Sequence, residues 1–303
     1  GLLARTTGLD SPGAGGQRAR HDVVVSAVAT TARGEFGVVT SAGRLVKLSA
    51  LDLPTLPATA NHPNLQGGAP IGEFLTLAAD ERPLALTSFE PDSPGLALGT
   101  SQGVVKRVNQ EHLANRDEWE VIGLRDGDSL VGATQLVTGS EELCFVTSDA
   151  QLLHFGADKV RPQGRAGGGI AGVKLADGAH VVWFGALEPA DAVVVTVAGS
   201  STALPGTEAG TVKVTPFAEY PGKGRATGGV RCHRFLKGED ELILAWAGPA
   251  PALAAAASGA PVDLPEPVAR RDGSGVAASQ PIQGCSGPVA VLPAVSAALG
   301  VAG

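Results

Sequence analysis

The chain has no methionine among its 303 residues, only three cysteines, one tyrosine and three tryptophans, and it carries more acid than base, for a formal net charge of -7. Each shortage excludes something. Cys144, Cys232 and Cys285 lie far apart and one would be left over, so neither a disulfide framework nor a metal knuckle is indicated. The histidines, His21, His62, His112, His154, His180 and His233, show no metal-ligand spacing. Aromatics at 4% leave little with which to stack on unpaired bases. No apolar run reaches the roughly 18 to 20 residues that span a bilayer, and no charged-then-apolar leader is present, so a soluble cytoplasmic chain with no membrane partner is expected. Helical periodicity is missing as well. The alanine run at 252–257 is short and flanked by Pro249, Pro251 and Pro261, and reads as a linker.

What the chain does have is a repeat. Thr40-Ser41-Ala42-Gly43 precedes Arg44-Leu45-Val46-Lys47, Thr100-Ser101-Gln102-Gly103 precedes Val104-Val105-Lys106-Arg107, and Thr147-Ser148-Asp149-Ala150 precedes Gln151-Leu152-Leu153-His154. Diverged copies sit at Glu208-Ala209-Gly210 before Thr211-Val212-Lys213 and at Gly1 before Leu2-Leu3-Ala4-Arg5, so the chain is expected to begin inside a repeat. A period of about 45 to 60 residues holds one four-stranded sheet, as in propeller blades. The segments at 23–28, 96–98, 143–146 and 193–197 are short, rich in Val and Leu, and bounded by Gly, Pro, Asp and Ser, which predicts strands. The fold class is therefore all-β.

The net charge hides a segregation by sign. Acids gather in turns that precede apolar strands, at Asp80-Glu81, Asp126-Gly127-Asp128, Asp177-Gly178 and Glu239-Asp240-Glu241. Between residues 205 and 237 the bases Lys213, Lys223, Arg225, Arg231, Arg234 and Lys237 face only two acids, Glu208 and Glu219. Equivalent positions of successive blades align on one rim, so a base repeated in each hairpin would form a positive arc. The bland reading of the same residues is solvated strand ends.

Four segments carry a family resemblance: Gly103-Val104-Val105-Lys106-Arg107; residues 124–132, Leu-Arg-Asp-Gly-Asp-Ser-Leu-Val-Gly; residues 160–175, which run from Val160-Arg161-Pro162-Gln163 to Lys174-Leu175; and Lys213-Val214-Thr215-Pro216-Phe217-Ala218-Glu219-Tyr220 leading into residues 224–230. In order and spacing, the chain up to about Asp240 resembles the C-terminal DNA-binding domain of the A subunit of bacterial gyrase and topoisomerase IV, the type IIA topoisomerases. The resemblance implies a β-pinwheel, a propeller-like ring of five to six four-stranded antiparallel blades that exchange strands. It also implies sequence-independent bending of double-stranded DNA on a basic outer rim. The partners it implies are the N-terminal cleavage core of the same subunit, which carries the nucleophilic tyrosine, and an ATP-hydrolysing B subunit. ATP and Mg2+ would act there, with no cofactor, metal or catalytic residue in this chain. Tyr220 falls in a blade element and takes no nucleophilic role. Gyrase-type domains carry a box reading Q-R-R-G-G-R-G. Here Gly13-Ala14-Gly15-Gly16-Gln17-Arg18-Ala19-Arg20 is out of pattern, and Gln163-Gly164-Arg165-Ala166-Gly167-Gly168-Gly169 keeps Gln, one Arg and two glycines in register. That degeneracy favours topoisomerase IV, with its decatenation and relaxation, over gyrase.

The candidate DNA-binding residues are Lys106, Arg107, Arg165, Lys213 and Arg225 first, from the repeated basic position and the box-like loops. Arg5, Arg44, Lys47, Arg161, Gln163, Lys174, Lys223, Arg231 and Arg234 follow, while Arg18, Arg20, Arg270 and Arg271 sit in segments the repeat does not align. Each phosphate neutralised by Lys or Arg releases counterions, which offsets bending of the duplex, and glycines let backbone amides approach phosphates. With no recognition helix, readout is by shape and charge. Trp119, Trp183 and Trp246 are expected to pack in the core.

Two rival readings have distinct marks. A generic protein-binding propeller would not retard DNA. A hydrolase would use Ser101 of Gly99-Thr100-Ser101-Gln102-Gly103, which fits G-x-S-x-G, but a strand rather than a helix follows it. The pinwheel is expected to span residues 1–284, with a decayed last blade at about 242–284 that could leave the ring open, and a poorly ordered tail at 285–303.

Overall fold

The computed structural model describes residues 1–7, 17–57, 63–109 and 111–288. It consists of short strands and single 3-10 turns, and no helix among the described residues is long and apolar enough to cross a membrane. Four of the five predicted hairpin copies form; the copy at Gly1 does not, because Leu2–Leu3 pairs with Ala69–Pro70 instead. The first blade pairs Glu35–Thr40 with Arg44–Ser49, the second Leu96–Thr100 with Val104–Val108, the third Glu142–Thr147 with Gln151–Gly156, and the fourth Ala192–Gly199 with Thr211–Pro216. On one side of each hairpin runs a strand that lines the central channel: Pro83–Thr87, Leu130–Gln135, Val181–Leu187 and Glu241–Pro249. On the other side runs a strand sent back from beyond the next hairpin: Glu118–Glu120, Ile170–Ala171, Val230–Arg231 and Val276–Ala277. Each of these four blades is thus completed by its successor.

Residues 23–28 form no strand, and three further details differ from the expectation. The second blade adds Pro162–Gln163 alongside Arg107 and Val108 in parallel, so it is not purely antiparallel. The alanine run is no linker, because Leu253–Ala255 pairs with Pro261–Val262 and Gly284–Ser286 in a three-stranded fifth blade. That strand buries Cys285 and Ser286, which places them in the ring rather than in a tail; residues 289–303 lie outside the described residues.

The cores lie between blades. Val39, Leu96, Leu98 and Leu130 join the first to the second; Ala97, Phe145, Leu153 and Phe184 the second to the third; Val146, Leu152, Val194 and Phe217 the third to the fourth; Val195, Val212 and Ala254 the fourth to the fifth. Neighbouring residues of one strand, such as Phe145 and Val146, therefore serve opposite interfaces. Both faces are dry, which is why these strands read as continuous apolar runs instead of alternating ones. Full burial of each such side chain contributes about 1.5–3 kcal/mol.

The ring is closed by the amino-terminal segment. In four blades the returning strand ends with the same bond to the hairpin turn: Val121 N–H to Gly43 O at 2.9 Å, Gly172 to Gly103 at 2.8 Å, Cys232 to Ala150 at 2.9 Å and Ala278 to Gly210 at 3.0 Å. The fifth blade receives it from the other end of the chain, His21 N–H to Gly259 O at 2.8 Å. Ser26 Oγ then accepts from Leu86 N–H of the first blade at 2.9 Å. A two-stranded sheet of Leu2–Leu3 with Ala69–Pro70 stands beside the first blade, and residues 24–27 line the channel of about 1220 Å³ with the inner strands of all five.

Candidate nucleic-acid interface

The segments that cross from one blade to the previous one form the outer edge. Residues 160–178 and 220–238 match without a gap: Gln163 with Lys223, Arg165 with Arg225, Gly169 with Gly229, Lys174 with Arg234 and Gly178 with Gly238. The conformations match at the glycines but not at Ala226, whose φ of 64° has no counterpart at Ala166. Gly169 and Gly229 share positive φ values of 78° and 76°, and Gly178 and Gly238 have 77° and 95°. A Cβ on Gly169 would stand 2.6 Å from Val105 O, so this turn requires glycine.

Consecutive crossings are stitched together by one repeated bond. Gly123 N–H donates to Gly167 O at 3.2 Å, Lys174 N–H to Thr227 O at 3.0 Å and Arg234 N–H to Gly273 O at 3.0 Å. Bases far apart in sequence become neighbours through it. Lys174 lies beside the loop bearing Arg225, whose guanidinium reaches Ala171 O at 2.5 Å, and Arg234 lies beside Arg270 and Arg271. The third stitch also aligns Arg270 and Arg271 with Gly164-Arg165 and Gly224-Arg225. The available signal was Gly273-Ser274-Gly275-Val276, which echoes Thr227-Gly228-Gly229-Val230.

The candidate bases divide by environment. Arg161, Lys174, Arg231 and Arg234 are exposed and make no side-chain hydrogen bond or ion pair to a described residue. Lys223 is exposed and donates to Gly229 O at 3.1 Å, while half-buried Arg165 pairs with Glu111 at 2.7 Å. Gln163 faces its own loop, its Oε1 accepting from Gly169 N–H at 3.0 Å.

Two of the five leading candidates lie elsewhere than on the surface. Lys106 is wholly buried, and its ammonium donates to Val121 O at 2.8 Å, Arg165 O at 2.8 Å and Gly167 O at 2.7 Å. Lys213, 2% exposed, donates to Arg270 O at 3.3 Å and to Arg271 O. Desolvation pulls both amines down to about 8, with Glu111 opposing the shift at Lys106. The captured carbonyls favour the charged form as well, so the ammonium persists at neutral pH. Their strand position is held by Val46 and Leu153 in the first and third blades, an inward-facing site that the repeat itself disclosed.

The other repeated bases latch crossing segments. Lys47 reaches Ala114 O at 3.2 Å, Arg107 reaches Ala157 O at 3.0 Å, and His154 meets Tyr220 O at 2.9 Å and Glu142 at 2.7 Å. Arg44 binds Glu81 at 2.7 Å, Thr76 O at 2.6 Å and Glu118, and Arg5 donates to Thr55 Oγ1 at 2.7 Å. Arg18 pairs with buried Asp22 at 2.6 Å and reaches Ala254 O at 2.8 Å, and exposed Arg20 reaches Ser258 O at 2.7 Å.

The remaining motifs have structural explanations. Ser101 Oγ donates to Asp128 at 2.8 Å, Ser201 Oγ to Asp240 at 2.6 Å, and Ser41 and Ser148 accept backbone amides at the matching turns, so this serine anchors the chain entering each inner strand. Tyr220 is buried, with its hydroxyl pushed far above its usual range by desolvation. Trp119 is in the core, whereas Trp183 and Trp246 line the channel. Burial pushes the Cys232 and Cys285 thiols up to about 12, and Cys144 rises as well.

Strand exchange between blades around one channel defines a β-pinwheel, a variant of the propeller. A family model described as the DNA gyrase C-terminal domain, beta-propeller, matches residues 141–187 and 206–244. The DNA gyrase A protein of Staphylococcus epidermidis is 29% identical over 243 residues, and that of Staphylococcus aureus is 30% identical over 241, each alignment covering 74% of this chain. The chain spans about a quarter of these relatives, 25% and 26% respectively. Among solved structures, the C-terminal domain of DNA topoisomerase IV superposes with a TM-score of 0.68 at 18% identity, covering 86% of this chain and 80% of its own. The DNA gyrase A C-terminal domain gives 0.59 at 16% identity, with 94% and 92% covered, and the E. coli ParC C-terminal domain 0.56 at 16%, with 83% and 97% covered. The chain belongs to the C-terminal domain family of type IIA topoisomerase A subunits.

Proposed function

We propose that this domain binds and bends double-stranded DNA on its outer rim as an accessory part of a type IIA topoisomerase A subunit. The observation that carries the reading is the stitched series of crossing segments, which holds Arg161, Lys174, Arg231 and Arg234, exposed and without a side-chain partner among the described residues, along one edge of consecutive blades. Such cations neutralise phosphates without reading bases, and each contact releases counterions that offset the cost of bending. The family suggests two partners in the cytoplasm, an N-terminal cleavage core and a B subunit, with ATP and Mg2+ used there.

Within the family, the topoisomerase IV type, which serves decatenation and chromosome segregation, is favoured by the lack of an intact Q-R-R-G-G-R-G box among residues 1–303. The gyrase type has its own support, because the Staphylococcus relatives are gyrase A proteins. Joining the domain to a cleavage core with its B subunit, then assaying decatenation against ATP-dependent supercoiling, separates the two.

DNA binding itself is tested by retardation of a duplex of about 40 base pairs across a salt series. The test compares the wild type with a variant carrying Arg161→Gln, Lys174→Gln, Arg231→Gln and Arg234→Gln. The expected result is an unchanged melting temperature, weaker binding and a log-log salt slope reduced by roughly 0.9 for each phosphate no longer neutralised. A wild-type domain that fails to retard duplex at low salt overturns the reading in favour of a protein-binding propeller.

A further inference from the structure

The buried lysine of the second blade is unusual in what it grips. Its ammonium holds the carbonyl oxygens of Arg165 and Gly167, two peptides of the same crossing loop. A trans peptide is planar, with C=O and N–H pointing in opposite directions. The inward oxygens of Arg165 and Gly167 therefore turn the N–H groups of Ala166 and Gly168 outward. Ala166 and Gly168 are exposed, and neither amide donates to another described residue. Two outward peptide dipoles with a fixed cation behind them form a concavity suited to an anionic oxygen.

Lys213 repeats the arrangement in the fourth blade. It holds Arg270 O and Arg271 O, which directs the N–H groups of Arg271 and Asp272 outward, although the Asp272 carboxylate, 3.3 Å from Arg270, lies next to that loop. In the third blade Leu153 takes the same place, and the Ala226 amide is engaged by Gly172 O at 2.7 Å. The second blade thus presents the less encumbered site. Glu111 sits nearby but is paired with Arg165 at 2.7 Å.

We propose that Lys106, and more weakly Lys213, is a positioning residue for DNA that never touches it, fixing loop amides outward so that Ala166 and Gly168 donate to one backbone phosphate. This rests on the DNA-binding reading above and adds the atoms of one contact. It also gives the glycine-rich loop a stated role, since exposed Gly168 leaves room beside Gly123 O, 3.2 Å from where a Cβ would stand, and Gly169 permits the turn.

The test uses amide spectra of the 303-residue chain, wild type and Lys106→Met, titrated with the duplex of about 40 base pairs, together with binding across the salt series. The expected result is that Ala166 and Gly168 amides shift in the wild type and not in the variant. Lys106→Met lowers the melting temperature, because three carbonyl acceptors lose their donor. Its affinity falls about five- to tenfold at ~0.1 M salt, with the salt slope reduced by roughly 0.9. A purely structural lysine would lower the melting temperature as well but leave the salt slope unchanged. Wild-type binding without those amide shifts, or unaltered binding by Lys106→Met, overturns the proposal and leaves DNA binding intact. Absence of wild-type binding overturns both. If Lys106→Met does not fold, the wild-type amide shifts decide alone.

Discussion

The backbone amide of His21 donates to the carbonyl of Gly259 at 2.8 Å, and this bond joins the segment before the first blade to the hairpin of the fifth. It repeats the bond by which every other blade receives its returning strand, so the decayed fifth blade is completed from a distance of more than two hundred residues. The exposed edge expected there is covered, which removes a template for pairing with other chains.

That closure makes Asp22 a vulnerable point. Its carboxylate is buried and accepts two bonds from Arg18, at 2.6 and 2.9 Å, and one from Ala19 N–H at 3.1 Å, while Arg18 also ties down Ala254 O. Asp22→Ala is expected to cost about 2–3 kcal/mol in denaturant unfolding, because a largely buried guanidinium loses its partner. Arg20→Ala, at an exposed contact, should stay within about 0.5 kcal/mol. Equal losses in both would show that the closing segment does not act through Asp22.

Acid sensitivity should arise first at the Arg44 network. The bond from Arg44 holds the Glu81 carboxyl down to about 2, with help from Thr40 and the Ala78 amide. Such a depressed acid stabilises the fold above its unfolded value of about 4.5, and the contribution disappears as pH falls toward about 2. Glu81→Gln should lower stability at pH 7 by about 2–3 kcal/mol and flatten the stability profile across that acid window. Parallel profiles for wild type and variant would remove Glu81 as the cause.

His233 works in a higher window. Burial, and secondarily Lys213, lowers it to about 4; its Nδ1 bonds Thr196 Oγ1 at 2.9 Å and its Nε2 accepts from Gly275 N–H at 3.2 Å, which only a neutral ring can do. The stability it confers is complete above about 6.5 and declines as pH falls from there to about 4, because the unfolded chain takes up the proton first. Hydrogen exchange at the Gly275 amide should accelerate through that range in the wild type. Exchange that is flat with pH, after correction for intrinsic rate, would refute a protonation-linked loosening of this crossing.

The box-like loop offers a paired glycine test. Gly169 has positive φ and no room for a Cβ, while a Cβ on Gly164 meets nothing within 4 Å. Gly169→Ala should destabilise by about 1–3 kcal/mol and Gly164→Ala by no more than about 0.5. The two variants having equal melting temperatures would contradict the turn geometry.

Much of this was legible in the residues. Five turns of positive φ at Gly43, Gly103, Ala150, Gly210 and Gly259 follow one hairpin pattern, and four of them are recognisable by a small residue before an apolar pair. The fifth was hidden because its strands, Leu253–Ala255 and Pro261–Val262, use alanine and proline where the other copies use valine and leucine. Alanine suffices there because Val193, Val195, Val212 and Val214 of the fourth blade, with Ile282 and Cys285, supply the rest of the packing. The site was less legible than the fold. Counting bases could not separate Lys174, which is free, from Lys106, which is buried, since both are simply lysines near glycine.

The sequence by itself determined the blade, because a hairpin needs only local turn chemistry and two apolar strands, both written within some twenty residues. Tertiary structure decided which bases face solvent, that Arg271 joins Arg165 and Arg225, and that the ring closes through His21. Those outcomes depend on which carbonyl each cation meets after a strand has crossed into the previous blade, and that meeting exists only once the neighbouring blades have packed.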